Sequence, residues 1–316
     1  MVTYHPGIIN GGELSHQCPT SRAIGYFLEP LISLAPFAKT PFDITLTGIT
    51  NDNVDTSVDV IRTVLLPQLR RFGISENVEL KISKRGAAPL GGGQVNFKCP
   101  IIRALKPVQF TDAGLVKRIR GIAYATRMSP QMANRMMESA RSVLTRYIPD
   151  VYIYTDVYKG AESGNCPGYA LSLVAETTTD ALISTECAYQ PRKKATTEKE
   201  SFQEKGGVTD MLVNDYQFPT PEDLGVRCAR QLLTEIKKGG TVDTISQWLN
   251  LLFIAIGPED VGKIRVGSLT PFTVQYLRDL KTFFGVTFKM TPDKETHTVL
   301  LASVGVGFTN VNKRVN

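Results

Sequence analysis

A short run of charged side chains near the carboxyl end is the part of the sequence best suited to chemistry. Arg278 and Lys281 are three residues apart, and Asp279 comes between them in the chain. On a helix, residues three apart share a face, so the two cations could bind one phosphate together. Asp279 could act as a general base toward a ribose hydroxyl if the fold brings it within hydrogen-bond reach. The same cations would also suit an acidic peptide of a protein partner, or could belong to an ordinary solvated helix face.

A glycine-rich segment between two strand patterns is the second candidate. Residues 84–95 read KRGAAPLGGGQV, and the three successive glycines permit positive φ angles and a close approach of the backbone to a phosphate. Neither G-x-x-x-x-G-K-[ST] nor a helix-opening G-x-G-x-x-G is present, so both nucleotide-binding fingerprints are missing. We therefore favour a tight hairpin connection over a phosphate cradle.

The cysteines and histidines give no metal-binding pattern. The five cysteines are scattered without a C-x-x-C pair, and the three histidines form no ligand cluster. Cys18 and Cys228 have no assignable histidine partner, so we expect buried, inert thiols. The sequence predicts reduced cysteines in an intracellular compartment and no metal.

Composition sets broad limits on the class of protein. The 316 residues are 42% hydrophobic, enough to bury one large core or two moderate ones, and the formal net charge of +6 suits a polyanionic partner without requiring one. No apolar run reaches about 18 residues, and the amino-terminal residues lack a secretory signature. We expect a globular protein that is neither membrane-spanning nor secreted.

Strand and helix patterns interleave along the whole chain, which predicts an α+β or α/β fold. Ser129-Pro130 and Thr270-Pro271 are typical helix starts, because the hydroxyl residue can cap free N–H groups and proline suits the first turn. Gly239-Gly240 is a typical helix end. The predicted helices are 131–147, 222–238 and 270–284, and the predicted strands are 42–46, 78–82, 94–98, 122–125, 151–155, 170–176 and 299–304.

Burial can also be predicted at several positions. In the last helix, Val274, Leu277, Leu280 and Phe284 have helical spacing and should form its buried stripe, which places Gln275 and the charged residues on the other side. Trp248, Tyr152 and Tyr154 lie at positions that favour core packing over stacking on RNA bases. Residues 190–207 are charged and nearly free of large apolar side chains, which predicts a mobile loop.

Several motifs, in order along the chain, resemble the RNA 3′-terminal phosphate cyclase superfamily. Arg85 to Gly93 fits the pattern R-G-x-x-P-x-G-G-G of that superfamily, and residues 46–50, with Asp59 and Pro67, resemble its G-G-T segment and the helix after it. Three further matches are Pro6-Gly7 with Gly11-Gly12, Pro167-Gly168, and Glu222 with Gly225. The resemblance implies repeated βαβαββ units forming a large domain of residues 1–105 plus 241–316, with a smaller α/β domain, residues 106–240, inserted.

Three departures from the cyclase pattern point to a cyclase-like branch. Thr270 occupies the position of the histidine that accepts AMP in cyclases, and Thr273 fits the family threonine three residues later. A threonine hydroxyl needs an adjacent base to attack phosphorus, and His297 is the only candidate nearby in the sequence. Arg22 places a large cation where cyclases have a small turn of the nucleotide pocket. The first βαβαββ unit is expected to be truncated, because the chain begins almost at the P-G segment.

The branch that the resemblance indicates serves ribosome assembly. It implies a pre-rRNA processing factor for 18S rRNA in the nucleus and nucleolus, within the small-subunit precursor particle. It also implies a ribosome-assembly GTPase as partner, with GTP bound by that partner and no cofactor here. Non-catalytic scaffolding, endonuclease cleavage and residual cyclase activity stay open. Besides the degenerate position Thr270, we expect binding residues and candidate catalytic or partner-contact residues. They are Arg22, Arg85, Thr273 and Gln275 for binding, and Arg278, Asp279 and Lys281 for catalysis or contact.

Overall fold

The computed structural model describes Thr3, His5 and residues 7–74, 77–189 and 220–313. Within these residues the strands form three four-stranded sheets. The architecture is mixed α and β, as the interleaved patterns predict.

The first sheet is built from the amino-terminal third of the chain. Its strands are β1 (Gly12–Gln17), β2 (Phe42–Gly48), β3 (Glu79–Lys84) and β4 (Gly93–Cys99), in the order β1-β2-β4-β3. β1 pairs with β2 in parallel, whereas β2–β4 and β3–β4 are antiparallel. The glycine-rich segment therefore joins two antiparallel neighbours, which confirms the predicted hairpin connection.

Three helices accompany this sheet. They are α1 (Ile24–Leu34), α2 (Val58–Val60) and α3 (Leu66–Leu69), and a π-helical turn, Ile61–Leu65, connects the last two. The Ser57 side chain caps α2 by accepting a hydrogen bond from the Val60 N–H at 3.2 Å. This cap fixes the helix start that carries Asp59.

The second sheet combines a strand from the middle of the chain with the carboxyl-terminal strands. They are β5 (Gln109–Phe110), β10 (Val261–Val266), β11 (Lys289–Asp293) and β12 (Thr298–Val304), in the order β11-β12-β10-β5. Helices α6 (Gln247–Ala255) and α7 (Pro271–Phe284) pack on it. α7 begins and ends as the Thr270-Pro271 start and the apolar spacing predict.

The third sheet comes from the chain between β5 and α6. Its strands are β6 (Val116–Thr126), β7 (Val151–Tyr158), β8 (Gly168–Thr177) and β9 (Leu182–Ala188), in the order β7-β6-β8-β9. Two helices, α4 (Pro130–Leu144) and α5 (Pro221–Lys238), pack on one face of this sheet. The predicted start at Ser129-Pro130 is confirmed, since Ser129 caps α4, whereas the capping box that Thr220 forms on α5 was not predicted.

Two main hydrophobic cores occupy the described part of the chain. The first lies beneath the first and second sheets and includes Leu46, Phe97, Phe253 and Leu301. The second lies between the third sheet and its two helices, where Cys228 is also buried. Cys18 is buried in the first core, as predicted. None of the described helices is long and apolar enough to cross a membrane.

Some predictions of burial are wrong. The side chains of Tyr152 and Tyr154 are 62% and 56% exposed, because β7 is an edge strand and they lie on the face that α4 and α5 do not cover. Trp248 is partly buried against the first core, in line with its prediction. The predicted mobile loop 190–207 lies outside the described residues.

Candidate functional site

Thr270 caps the helix that carries most of the predicted site residues. Its hydroxyl oxygen accepts a hydrogen bond from the Thr273 N–H at 3.0 Å and lies 2.8 Å from the Thr273 hydroxyl. In the described part of the chain, no histidine, carboxylate or amine bonds to it. His297 lies exposed in the turn between β11 and β12, and no hydrogen bond joins it to Thr270. The hydroxyl therefore serves the helix start and has no base to activate it.

Thr273 joins this cap to a buried polar network. Thr273 is 1% exposed, and its hydroxyl donates to the Gln247 amide oxygen at 2.7 Å. Beside Gln247, Ser246 bonds to the carboxylate of Asp243, and the Gln68 amide donates to the Ser246 hydroxyl at 3.1 Å. Burial raises the pKa of Asp243, although Ser184 and Ser246 donate to its carboxylate. Thr273 is thus a positioning residue and is shielded from ligands in this conformation.

The buried stripe of α7 differs from the predicted one. Leu277 and Leu280 are buried as expected, but Val274 is 37% and Phe284 is 41% exposed. Thr273 takes the place of Val274 because Gln247 gives its hydroxyl a partner inside the protein. The bond to Gln247 thus replaces Val274 by Thr273 in the buried stripe and leaves Leu277 and Leu280 in it.

The four polar residues predicted on the outer side of α7 do lie outside the buried stripe, but they do not form one cluster. Arg278 and Lys281 are exposed, and neither takes part in an ion pair with any described residue. Successive helix residues turn by about 100°, so Asp279 lies about 100° from Arg278 and about 160° from Lys281. Asp279 instead accepts a hydrogen bond from Gln275 at 2.9 Å.

The other flank of α7 is aromatic. Phe272 stacks on Tyr276 with ring centroids 5.7 Å apart, and Phe283 is 81% exposed. Burial, helped by the charge of Asp279, raises the pKa of Tyr276 to about 12. Asp279 therefore belongs to the aromatic flank, while Arg278 and Lys281 form a separate cationic flank.

Arg85 lies at the centre of a buried ionic network and is fully shielded from solvent. Both of its terminal nitrogens contact the Asp59 carboxylate, at 2.8 Å for Nη2–Oδ1, and Nη2 lies 3.1 Å from Asp156. Its guanidinium also stacks over Tyr124, 4.6 Å from the ring centroid. The expectation that Arg85 binds a ligand directly is therefore corrected: its terminal nitrogens are used to hold the first and third sheets together.

The pKa values of this network follow from burial and charge pairing. Burial by itself would lower the pKa of Arg85, but the carboxylates of Asp59 and Asp156 outweigh it and raise that pKa. Burial would likewise raise the pKa of Asp59, yet Arg85 holds it below its usual value. Both groups stay charged, because the opposite charge of each partner replaces the hydration that the other loses on burial.

Arg22 pairs with one carboxylate and remains half-exposed. Its Nε lies 3.0 Å from both oxygens of Asp55, and its guanidinium lies 3.9 Å above the Tyr26 ring. Asp55 also accepts from the Ala23 N–H at 2.8 Å. Arg22 is thus anchored against α1. Among the described residues, no hydrogen bond joins Arg22 or Arg85 to the polar side chains of α7, so the predicted site residues lie in three separate places.

Sequence reasoning missed the partners that matter most. Gln247, Asp243 and Asp156 bond to residues far away in the chain, and no local spacing marks them. Asp59 did appear in the family motif, but its pairing with Arg85 became visible only in the fold. Within the residues that the structure describes, no three histidine, cysteine or acidic side chains group as a metal site.

The three sheets with their helices agree with the mixed α and β fold that the cyclase motifs imply. A model of the RNA 3′-terminal phosphate cyclase family matches residues 1–290. The chain belongs to that family. This confirms the fold that the motifs predicted.

Known relatives carry the cyclase-like name. The chain is 52% identical to the "Probable RNA 3'-terminal phosphate cyclase-like protein" of Dictyostelium discoideum, covering 98% of this chain and 81% of that protein. It is 48% identical to the "RNA 3'-terminal phosphate cyclase-like protein" of Homo sapiens, over 98% of this chain and 79% of that one. It is 46% identical to "rRNA processing protein rcl1" of Schizosaccharomyces pombe, over 99% and 80%.

Proposed function

We propose that this chain is a pre-rRNA processing factor for the small ribosomal subunit and does not cyclise RNA ends. The observation that carries the proposal is the Thr270 hydroxyl, which caps α7 and has no base among the described residues. The similarity to the Schizosaccharomyces pombe rRNA processing protein supports the biological role.

The finer parts of the proposal follow from the cyclase-like resemblance. The protein acts in the nucleus and nucleolus, on the precursor of 18S rRNA. It works with a ribosome-assembly GTPase that binds the GTP, so this chain needs no cofactor of its own. The cationic flank of α7, Arg278 and Lys281, is its contact with pre-rRNA or with an acidic segment of the partner, because both cations are exposed and have no described ion-pair partner.

The absence of cyclase activity is tested directly with purified protein. The full chain is incubated with radiolabelled ATP and an RNA carrying a 3′-phosphate. We expect neither adenylylated protein nor a cyclic RNA end, because an unactivated hydroxyl cannot replace an imidazole as the AMP acceptor. Detection of AMP covalently bound to the protein would refute the proposal.

The processing role is tested by depletion and replacement in the cells that make this protein. Depletion should reduce mature 18S rRNA and cause its precursors to accumulate on northern blots. Wild-type protein should restore processing, and the double variant Arg278→Ala/Lys281→Ala should not. The matched control is Lys289→Ala/Lys294→Ala, which removes two exposed lysines of the same sheet region and should restore processing fully. Normal 18S levels after depletion would contradict the role.

Endonuclease cleavage is a second candidate function. Arg278 and Lys281 would bind phosphates of the RNA, while Asp279 would have to leave Gln275 and act from the aromatic flank to reach a ribose hydroxyl. Purified protein is assayed on a pre-rRNA fragment with the variant Asp279→Asn. Loss of cleavage with RNA affinity unchanged supports catalysis by Asp279; cleavage that survives in Asp279→Asn rules it out.

A further inference from the structure

A cleft at one edge of the third sheet has no role in the proposed site. β6 and β7 are parallel neighbours, and Thr126 lies opposite Tyr158 in their register. Both strands end at these residues, so Arg127 and Lys159 leave the sheet side by side at the same edge. In open α/β sheets, ligands bind in the crevice outside the carboxyl ends of the strands. The topology of β6, α4 and β7 therefore favours a ligand site at this edge.

The cleft at this edge has a volume of about 410 Å³. The loop from β6 to α4 and the turn after β7 contribute three residues each to its lining, namely Arg127, Met128 and Ser129, and Lys159, Gly160 and Ser163. A Cβ built on Gly160 would meet no atom within 4 Å, so the space beside this glycine is open. None of the residues of the proposed site lines the cleft.

The lining of the cleft is cationic. Arg127 and Lys159 are exposed, and neither forms an ion pair with any described residue. Two acids are close to them in the chain, but Asp156 pairs with Arg85, and Glu162 is not among the lining residues. The described side chains of the lining thus bring two positive charges and no negative one, which attracts an anion.

The backbone of Arg127 has an unusual conformation. Its φ is +53°, in the left-handed region that residues other than glycine seldom adopt, although Asn, Asp and His adopt it more readily than others. The other three described residues with a positive φ that are not glycines are of those types, namely Asn77, Asp180 and His297. Backbone outliers of this kind concentrate at ligand sites, where the surrounding structure holds them in place.

Two hydrogen bonds hold Arg127 in this conformation. Its N–H donates to the Tyr158 carbonyl at 3.4 Å, and its Nε donates to the Gly164 carbonyl. Because Nε is used in this way, the orientation of the guanidinium is set while Nη1 and Nη2 have no acceptor among the described residues. Two parallel donors of this kind match two oxygens of a phosphate group.

The start of α4 contributes a hydroxyl to the cleft, but its N–H groups are already used. The Ser129 hydroxyl oxygen accepts a hydrogen bond from the Gln131 N–H at 3.3 Å, which leaves its own proton free to be donated. The Met132 N–H donates to the Ser129 carbonyl at 3.0 Å, and Pro130 has no N–H. The donors available to a ligand are therefore side chains.

We propose that this cleft binds a phosphate group through the terminal nitrogens of Arg127 and the ammonium group of Lys159. The arginine binds two phosphate oxygens with a planar fork, and the lysine adds a point charge. The phosphate belongs either to the backbone of an RNA chain or to a small phosphate ester. The proposal goes beyond the role in pre-rRNA processing and does not depend on it, because recognition is of the phosphate alone.

The test compares two double variants of the full chain. The site variant is Arg127→Asn/Lys159→Gln, in which asparagine removes the charge and tolerates the left-handed backbone. The matched control is Arg103→Asn/Lys289→Gln, which removes one exposed arginine and one exposed lysine that line no part of the cleft and have no ion pair with a described residue. Thermal melting checks that both variants are folded. If the site variant does not fold, Lys159→Gln alone takes its place, because the Lys159 side chain has no bond to break.

Two kinds of ligand distinguish the sources of the phosphate. Binding of a labelled single-stranded RNA is measured by fluorescence anisotropy at several salt concentrations, and binding of AMP and of adenosine is measured by calorimetry. We expect the site variant to bind RNA or AMP roughly tenfold more weakly than wild type does, and the control to stay within about twofold. For RNA, the slope of log affinity against log salt should fall by about 0.7, the value for one phosphate on a single strand.

The ligand whose affinity falls identifies the source. A loss for RNA alone indicates a phosphodiester of the chain, and a loss for AMP indicates a small phosphate ester. Three outcomes overturn the proposal. The first is RNA affinity unchanged in the site variant together with AMP binding that is absent or unchanged. The second is an equal loss in the control, which would show that only net charge matters. The third is adenosine binding that falls as much as AMP binding, which would assign the cleft to the nucleoside.

Discussion

At the scale of single residues, the most consequential side chain is the buried Arg85. A charged group loses its hydration on burial, and that loss is tolerated only if counter-charges replace it. Asp59 from α2 and Asp156 from β7 supply them, one from each side of the junction between the first and third sheets. The arginine of the family motif is therefore a structural residue in this chain.

Removal of one carboxylate should be strongly destabilising. Asp59→Asn leaves Arg85 buried with Asp156 as its remaining counter-charge, and we expect a loss of roughly 3–5 kcal/mol in the free energy of unfolding. Urea denaturation followed by circular dichroism measures it. The matched control is Asp150→Asn, which breaks the exposed pair with Arg120 and should not move the midpoint. Equal midpoints for both variants would show that Arg85 does not depend on Asp59.

At the scale of elements, the start of α7 depends on the Thr270 cap. A helix leaves its first N–H groups without partners inside the helix. Here the Thr270 hydroxyl accepts a hydrogen bond from the Thr273 N–H. Thr273 in turn anchors the helix through Gln247 of α6. Thr270 thus holds the first turn of α7 in place, which supports the proposal that it has no catalytic task.

The cap predicts a specific mutational pattern. Thr270→Ala should lower the free energy of unfolding by about 1 kcal/mol, because the Thr273 N–H loses its acceptor. Thr270→Ser keeps the hydroxyl and should retain most of the stability. Chemical denaturation of the three proteins under one condition measures the difference. A Thr270→Ala protein as stable as wild type would mean that the hydroxyl is free for another role.

At the scale of the whole molecule, a carboxyl group lies where the third sheet meets α2. Glu186 of β9 accepts the Ser57 N–H at 2.9 Å, and its other oxygen is shielded from solvent and has no partner among the described groups. Burial is the main reason why the pKa of Glu186 rises from 4.5 to about 8. The neighbouring carboxylates of Asp59 and Asp52 act in the same direction.

This raised pKa makes stability depend on pH in a defined direction. Between pH 4.5 and about 8 the folded protein keeps a proton on Glu186 that the unfolded chain has lost. The contribution of this proton to the free energy of unfolding is therefore fully present below pH 4.5 and decreases as the pH rises to about 8. Glu186→Gln should remove this component, so its stability relative to wild type should grow with pH across that window. Urea unfolding of both proteins at several pH values measures it, and a constant difference would contradict the raised pKa.

Local sequence determined much of this protein. A serine or threonine followed by proline predicted the starts of α4 and α7, because capping needs only neighbouring residues. Alternation of apolar and polar residues predicted the strands around the glycine-rich hairpin. The family motifs predicted the fold, and the assignment of Thr270 to the nucleophile position stays a prediction. The strands β1, β5, β9, β10 and β11 and the helices α1 and α6 were not predicted. α6 is apolar nearly all round, and β5 has two residues, so neither shows a period. The division into a discontinuous large domain and an inserted domain stays a prediction.

Only the tertiary structure decided which residues are accessible. The burial of Arg85 depends on Asp156, 71 residues away, and the exposure of Tyr152 and Tyr154 depends on which face of their sheet the helices cover. The burial of Thr273 and the separation of Asp279 from the two α7 cations depend on which face α7 turns inward, and Gln247 sets that face. A side chain's type and spacing fix what it can do, but partners distant in the chain fix whether it meets a ligand or is enclosed in the protein.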